Sequence, residues 1–121
     1  MCLRGASAVE ELLKEHSAAN VRVFAVWEPI LLTDWSAPTH FALRRLSDHR
    51  VRQFWDKDHA VATAVASSRD PDAKPDCCKR RGILWDLIAV YPAGAEWGEN
   101  LPPATVFNGP VVREIARSKI L

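Results

Sequence analysis

Runs of β-branched and aromatic residues alternate along this chain with segments of helical periodicity, and this alternation limits the fold more than any other feature of the sequence. The predicted helices cover residues 7–16, 39–46, 59–66 and a last segment that begins at Pro110. The predicted strands cover residues 21–27, 50–55, 83–91 and 104–107. Strands that alternate with helices are typical of a largely parallel sheet, and two consecutive strands near the end add an antiparallel pair. The order predicts an α/β fold with a central four-stranded mixed sheet and helices on both faces.

Local signals mark where two of these helices begin. Ser7 is the expected N-cap of the first helix, with Glu10 as its capping-box partner three residues later. Asp58 is expected to cap the helix at 59–66. The apolar run at 83–91 is predicted as one strand that ends at Pro92.

Size and charge limit the classes of protein to consider. With 121 residues, of which 48% are hydrophobic, the chain is predicted to form a single domain over 1–121 with one core and an exposed loop at 67–82. Sixteen basic residues against fifteen acidic ones produce no overall field that would attract nucleic acid or an anionic membrane. We therefore expect neither as a partner.

No segment of the sequence has the length of apolar residues that a membrane span needs. The first residues also lack the apolar stretch of a signal peptide, so the sequence favours a cytoplasmic protein.

The order of elements resembles the thioredoxin-like fold from the first helix onward. The segment Trp55-Asp56-Lys57-Asp58 after the second strand is similar to the loop that opens the third helix of thioredoxins, and Phe107-Asn108-Gly109 is similar to their final β-turn. The resemblance implies a thioredoxin-like scaffold. The segments Trp27-Glu28-Pro29-Ile30 and Phe54-Trp55-Asp56 also resemble a pattern in a bacterial group of uncharacterised proteins.

One departure from thioredoxins bears directly on activity. Thioredoxins place a Cys-x-x-Cys motif where the first crossover helix begins, because the helix N-terminus stabilises a thiolate. The corresponding segment here, 30–38, contains no cysteine. The resemblance therefore implies the scaffold without the usual redox motif.

Polar side chains follow the first two predicted strands, where open α/β sheets place their ligands. The candidate ligand-binding residues are Glu28, Asp34 and Trp35 after the first strand and Asp56 and His59 after the second. Carboxylates, an imidazole and an indole could bind a small polar molecule or a cation. The alternative is structural: Asp34 or Thr33 caps a short helical turn, Trp35 packs against the core, and Asp56 is solvated while Asp58 caps the next helix.

The adjacent cysteines Cys77 and Cys78 are the most unusual chemical feature of the chain. The basic run Lys79-Arg80-Arg81 follows them, and neighbouring cations favour a thiolate. The pair is a candidate for catalytic redox thiols and for soft-metal ligands. The alternative is a pair of reduced surface thiols, because adjacent side chains diverge in an extended loop and a bond between them strains the peptide.

Two functional hypotheses follow from these features. The first is a thioredoxin-like domain that acts as a binding or interaction module for a protein or small molecule. The alternative is a thiol redox protein or soft-metal binder that uses Cys77 and Cys78. No cofactor is expected, and both the existence of an enzymatic activity and the formation of a homodimer are left open.

Overall fold

The computed structural model describes residues 3–67, 77–80, 82–117 and 119–121. The helices are α1 (Leu3–Glu15), α2 (His40–Leu43), α3 (Ala60–Ser67) and α4 (Val111–Arg117). The strands are β1 (Val23–Trp27), β2 (Val51–Trp55), β3 (Lys79–Arg80), β4 (Ile83–Leu84), β5 (Ile88–Val90) and β6 (Val106–Asn108). The chain divides into two compact units, which are Met1–Ala60 with Leu121, and Val61–Ile120. The single domain over 1–121 stays a prediction.

The first unit contains a parallel strand pair. Strands β1 and β2 pair in register from Val23 opposite Val51 to Trp27 opposite Trp55. The backbone N–H of Asp56 donates to the Trp27 carbonyl at 2.8 Å, which extends the ladder by one step. The two strands therefore end side by side, and the segments that follow them begin at the same edge.

An apolar cluster forms the core of this unit. Leu13 of α1 is its most buried side chain, with 1% exposure. It is joined by buried residues from α1, from both strands and from the segment after α2, namely Ala6, Trp27, Leu46 and Val51. The apolar stripe of α1 thus packs in the same cluster as the parallel pair, as expected for an amphipathic helix.

The predicted start of the first helix is wrong. The chain is already helical at Leu3, so Ser7 lies inside α1 instead of capping it. Glu10 does not form a capping box; its Oε2 accepts hydrogen bonds from the backbone N–H groups of Ser47 and Asp48 at 2.8 and 3.1 Å. A long-range contact has therefore taken the carboxylate that the local pattern assigned to the helix N-terminus.

Arg50 closes the other end of α1. Its guanidinium donates to the carbonyls of Leu13 at 2.6 Å and His16 at 2.9 Å, where the last carbonyls of a helix lack helical partners. The same group pairs with the Asp48 carboxylate at 2.7 Å. The turn before β2 consequently holds α1 at two places along its length.

The second unit contains two short antiparallel pairs. In the first, Lys79 and Arg80 of β3 lie opposite Leu84 and Ile83 of β4. In the second, β5 pairs with β6 over three residues of each strand. The run at 83–91, predicted as one strand, is split between β4 and β5.

The predicted central four-stranded sheet is wrong. In the part of the chain that the structure describes, the strands form three separate two-stranded sheets. The break at Asp86 explains part of the difference, because its backbone φ of 48° lies in the left-handed region and interrupts the extended run. What remains on either side is too short to form the long strand over 83–91 that the predicted sheet required. The structure agrees with the predicted fold class only in that it contains both helices and strands.

The two inner helices begin where the sequence suggested, but with one different cap. Thr39 caps the short α2 by accepting from the Ala42 N–H at 3.4 Å. At α3, Asp56 Oδ1 accepts from the Ala60 N–H at 2.8 Å, while Asp58 is exposed. Asp56, and not Asp58, is thus the carboxylate that stabilises the start of α3. None of the helices within the described ranges is long and apolar enough to span a membrane.

Candidate functional site

A carboxylate–imidazole pair lies at the carboxyl ends of the parallel strands. Glu28 follows β1 directly, and His59 immediately precedes α3. Glu28 Oε2 and His59 Nδ1 are 2.9 Å apart, and the two side chains are 13% and 21% exposed. His59 has a backbone φ of 57°, a left-handed conformation that costs energy for a residue with a side chain. The 2.9 Å contact thus brings together two of the predicted ligand-binding residues, one from the end of each parallel strand.

Burial and neighbouring charges set the acidity of Glu28. Burial raises the pKa of its carboxyl group above the usual value, and the charge of nearby Asp56 acts in the same direction. The hydrogen bond and positive charge of His59 act against this rise but do not cancel it. Glu28 therefore holds a proton more readily than an exposed glutamate does.

The remaining predicted ligand-binding residues are placed differently. Asp56 is 9% exposed and caps α3, so it is a buried structural carboxylate beside the pair. Asp34 Oδ2 accepts from the backbone N–H groups of Ile30 and Leu31 at 3.2 and 3.1 Å, so its carboxylate stabilises the turn that precedes it. Burial acts to raise the pKa of Asp34, but hydrogen bonds, those from the Leu31 and Ile30 N–H groups among them, lower it below its usual value. Trp35 is 85% exposed, so the expectation that it packs against the core is wrong.

The Glu28–His59 pair can orient a proton but lacks the donors for a metal centre. When the imidazole is neutral, a carboxylate on one ring nitrogen favours the proton there and leaves the other nitrogen to accept a hydrogen bond. Among the residues that the structure describes, no group of three or more His, Cys, Asp and Glu side chains could hold a metal ion.

A second site lies in the Val61–Ile120 unit, where Cys77 and Cys78 form a disulfide bond with their Cα atoms 3.7 Å apart. Cys78 is 8% exposed, and Cys77 is half-buried. The expectation of two reduced surface thiols with diverging side chains is therefore wrong.

The backbone around this disulfide bends sharply. Cys78, the second residue of the bonded pair, has a φ of 73° in the left-handed region. Its carbonyl accepts a hydrogen bond from the Trp85 N–H at 2.9 Å, just beyond β4. Lys79, the first of the predicted cationic neighbours, is exposed in β3, and Arg81 lies outside the described residues.

Gly109 also lies against the disulfide, although sequence reasoning did not connect the two. A Cβ atom built on Gly109 would be 3.0 Å from Cys78 Sγ and closer still to the carbonyl oxygen of Asp86. The sequence marked Asn108-Gly109 as a turn, but no spacing rule relates a turn before α4 to cysteines before β3. Only the folded chain shows this approach.

No protein-family model, curated protein or solved structure matches the chain, so these comparisons neither support nor oppose the resemblance to thioredoxin-like proteins.

Proposed function

We propose that this protein carries out thiol–disulfide exchange through the Cys77–Cys78 pair. The closed disulfide between adjacent residues is the observation that supports this function. A structural disulfide stabilises a protein mainly by closing a long loop in the unfolded chain. A bond between neighbouring residues closes almost no loop, so stabilisation accounts poorly for it and reversible chemistry accounts for it better.

The backbone at Cys78 supports a bond that is easily reduced. A residue with a side chain at φ 73° costs on the order of 1–3 kcal/mol. Strained disulfides have more oxidising potentials than relaxed structural ones. We expect reduction to let Cys78 leave this conformation, which favours the dithiol.

Exchange at this pair balances as a two-electron reaction with external thiols. A thiolate attacks the sulfur of the more accessible Cys77, the protein S–S bond breaks, and its electron pair stays on Cys78, which takes up a proton from water. A second thiolate attacks the external sulfur of the mixed disulfide and releases the Cys77 thiol. The products are a protein dithiol and one external disulfide, and the reverse reaction reduces a disulfide substrate.

The proposal does not depend on a thioredoxin-like scaffold. It needs a reversible pair of sulfurs, and the vicinal pair takes the place of the Cys-x-x-Cys motif that segment 30–38 lacks. Soft-metal binding, the other chemistry predicted for these residues, is confined to the reduced form, because thiolates are the metal ligands.

The test uses the full chain with Cys2→Ser, so that Cys77 and Cys78 are the only thiols. The protein is equilibrated in buffers of reduced and oxidised glutathione, quenched with acid, alkylated and weighed by mass spectrometry. We expect zero or two labelled thiols per chain, with a two-electron dependence on the glutathione ratio. The matched control, Cys2→Ser with Cys78→Ser, should form only a mixed disulfide with glutathione.

Two outcomes contradict the redox proposal. One is a pair that stays reduced when oxidised glutathione predominates. The other is a disulfide that exchanges with glutathione no faster than the same bond in a short, unfolded Cys-Cys peptide. Either result would leave the disulfide without a chemical role.

A binding module at the Glu28–His59 pair is the second candidate function. The 2.9 Å contact between two partly buried titratable side chains at the end of β1 and β2 favours it. A library of small polar molecules, screened by amide NMR shifts, should yield ligands that perturb Glu28 and His59 and are lost in His59→Gln. The exposed His40→Gln serves as the control and should keep binding; a screen without such ligands counts against the module.

A further inference from the structure

Gly109 leaves space for the sulfur of Cys78 in the oxidised protein. Gly109 is buried, and an ideal Cβ at this position would be 3.0 Å from Cys78 Sγ. The carbonyl oxygen of Asp86 approaches the same point even more closely. Any side chain at position 109 would therefore press on the disulfide and on the backbone beyond β4.

Several hydrogen bonds hold the turn around Gly109, so it cannot move away from Cys78 without breaking them. The Gly109 N–H donates to Asn108 Oδ1 at 2.9 Å, and the Arg113 guanidinium donates to the Gly109 carbonyl. Asp86 Oδ1 accepts from the Val111 N–H at 3.4 Å, so the segment that approaches Gly109 is also tied to the start of α4. A methyl group added at position 109 would therefore clash with atoms that hydrogen bonds hold in place.

We infer that Gly109 is a positioning residue that sets the thiol–disulfide equilibrium of Cys77–Cys78, an inference that rests on the proposed function. The bond keeps Cys78 Sγ beside Gly109, because the sulfur must also reach Cys77. In the dithiol the Cys78 side chain is released from Cys77 and can adopt other staggered rotamers. A side chain at position 109 thus penalises the oxidised form more than the reduced form.

The test compares Gly109→Ala with Gly98→Ala, both with Cys2→Ser. The reaction measured is protein disulfide plus two glutathione thiols giving protein dithiol plus glutathione disulfide. For Gly109→Ala we expect an equilibrium shifted about tenfold toward the dithiol, equivalent to ~30 mV for two electrons. Gly98 belongs to the same unit, and a Cβ there would meet nothing within 4 Å, so Gly98→Ala should leave the equilibrium unchanged.

The reduction potential of Cys77–Cys78 separates a positioning role of Gly109 from a general loss of stability. A destabilisation that is equal in the oxidised and reduced proteins leaves the equilibrium with glutathione unchanged. An equilibrium constant within about twofold of the parent's value overturns the inference. The expected tenfold change corresponds to ~30 mV, which this measurement resolves. If the parent exchanges normally and Gly109→Ala does not shift it, the redox proposal survives and this inference fails. If the parent does not exchange, both fail.

A second measurement needs no substitution at Gly109 and covers the case in which Gly109→Ala does not fold. The amide NMR signals of the Cys2→Ser protein are compared in its oxidised and reduced states. We expect the signals of Gly109 and Val111 to move on reduction and that of Gly98 to stay in place. A Gly109 signal that does not move overturns the inference.

Discussion

Replacing Glu10 by alanine removes the acceptor of two backbone N–H groups far along the chain. Glu10 is 9% exposed, and its Oε2 accepts from Ser47 at 2.8 Å and from Asp48 at 3.1 Å. Its Oε1 also accepts from the Ser47 hydroxyl at 3.2 Å. Hydrogen bonds to a charged group contribute about 1.5–3 kcal/mol each, and water replaces part of what is lost at a site of this kind. We expect Glu10→Ala to lower the free energy of unfolding by ~3 kcal/mol.

Glu10→Gln is the matched control, because it keeps one oxygen acceptor of the same reach, while it removes the charge and replaces the other oxygen by an NH2 donor. Charge-assisted hydrogen bonds are about twice as strong as neutral ones, so the expected loss is smaller, ~1 kcal/mol. Urea unfolding followed by circular dichroism at neutral pH measures both variants. A loss below about 0.5 kcal/mol for Glu10→Ala, the range of an ordinary surface substitution, would refute the reasoning.

The effect of Glu10 should also depend on pH. Burial alone would raise the pKa of its carboxyl group, but hydrogen bonds from Ser47, Asp48 and Lys14 outweigh burial and lower the pKa below 4.5. Because the folded-state pKa lies below the unfolded one, the stabilisation is complete above the unfolded pKa and is lost as the pH falls through the folded-state pKa. The difference between the parent and Glu10→Ala should therefore shrink on acidification; a difference that widens would contradict the assignment.

Two further predictions concern the first unit. The Gln53 side chain accepts from Trp27 Nε1 and donates to the Leu46 carbonyl, both at 2.8 Å. Gln53→Leu should lower the unfolding free energy by ~2–4 kcal/mol in the same urea assay, since it leaves partly buried groups unpaired, and a loss under about 1 kcal/mol would argue against this role. In His59→Ala, the pKa of Glu28 should rise further, because burial remains while the lowering contact is lost. Carbon-13 NMR titration of Glu28 checks this, and an unchanged or lower pKa would count against the pair.

Local patterns predicted the elements of the first unit well, because the signals there come from neighbouring residues. The predicted strands at 21–27 and 50–55 contain β1 and β2. The meeting of Glu28 with His59 followed from one general rule, since parallel strands that pair end at the same edge. A turn-stabilising role for Asp34 was also within reach of the sequence, because Asp side chains commonly accept hydrogen bonds from neighbouring backbone N–H groups, although its donors precede it in the chain.

The errors share a different origin. Glu10 fits a capping box by its spacing. Its hydrogen-bond donors are instead the backbone N–H groups of Ser47 and Asp48, which lie between α2 and β2. The run at 83–91 is apolar enough for one strand, but Asp86 adopts a left-handed backbone while its side chain accepts from Val111. In each case a contact distant in sequence overrode a local preference, and a hydrophobic pattern does not encode such contacts.

By itself, the sequence determined where most helices and strands form, which polar residues follow the first two strands, and which two cysteines are adjacent. The tertiary structure alone decided that the strands of the described residues pair two by two, that Cys77 and Cys78 are bonded, and that Gly109 lies against Cys78. The physical reason is the range of the interactions involved. Propensity, capping and periodicity act over a few residues, whereas strand pairing and the approach of a turn to a sulfur depend on the path of the whole chain.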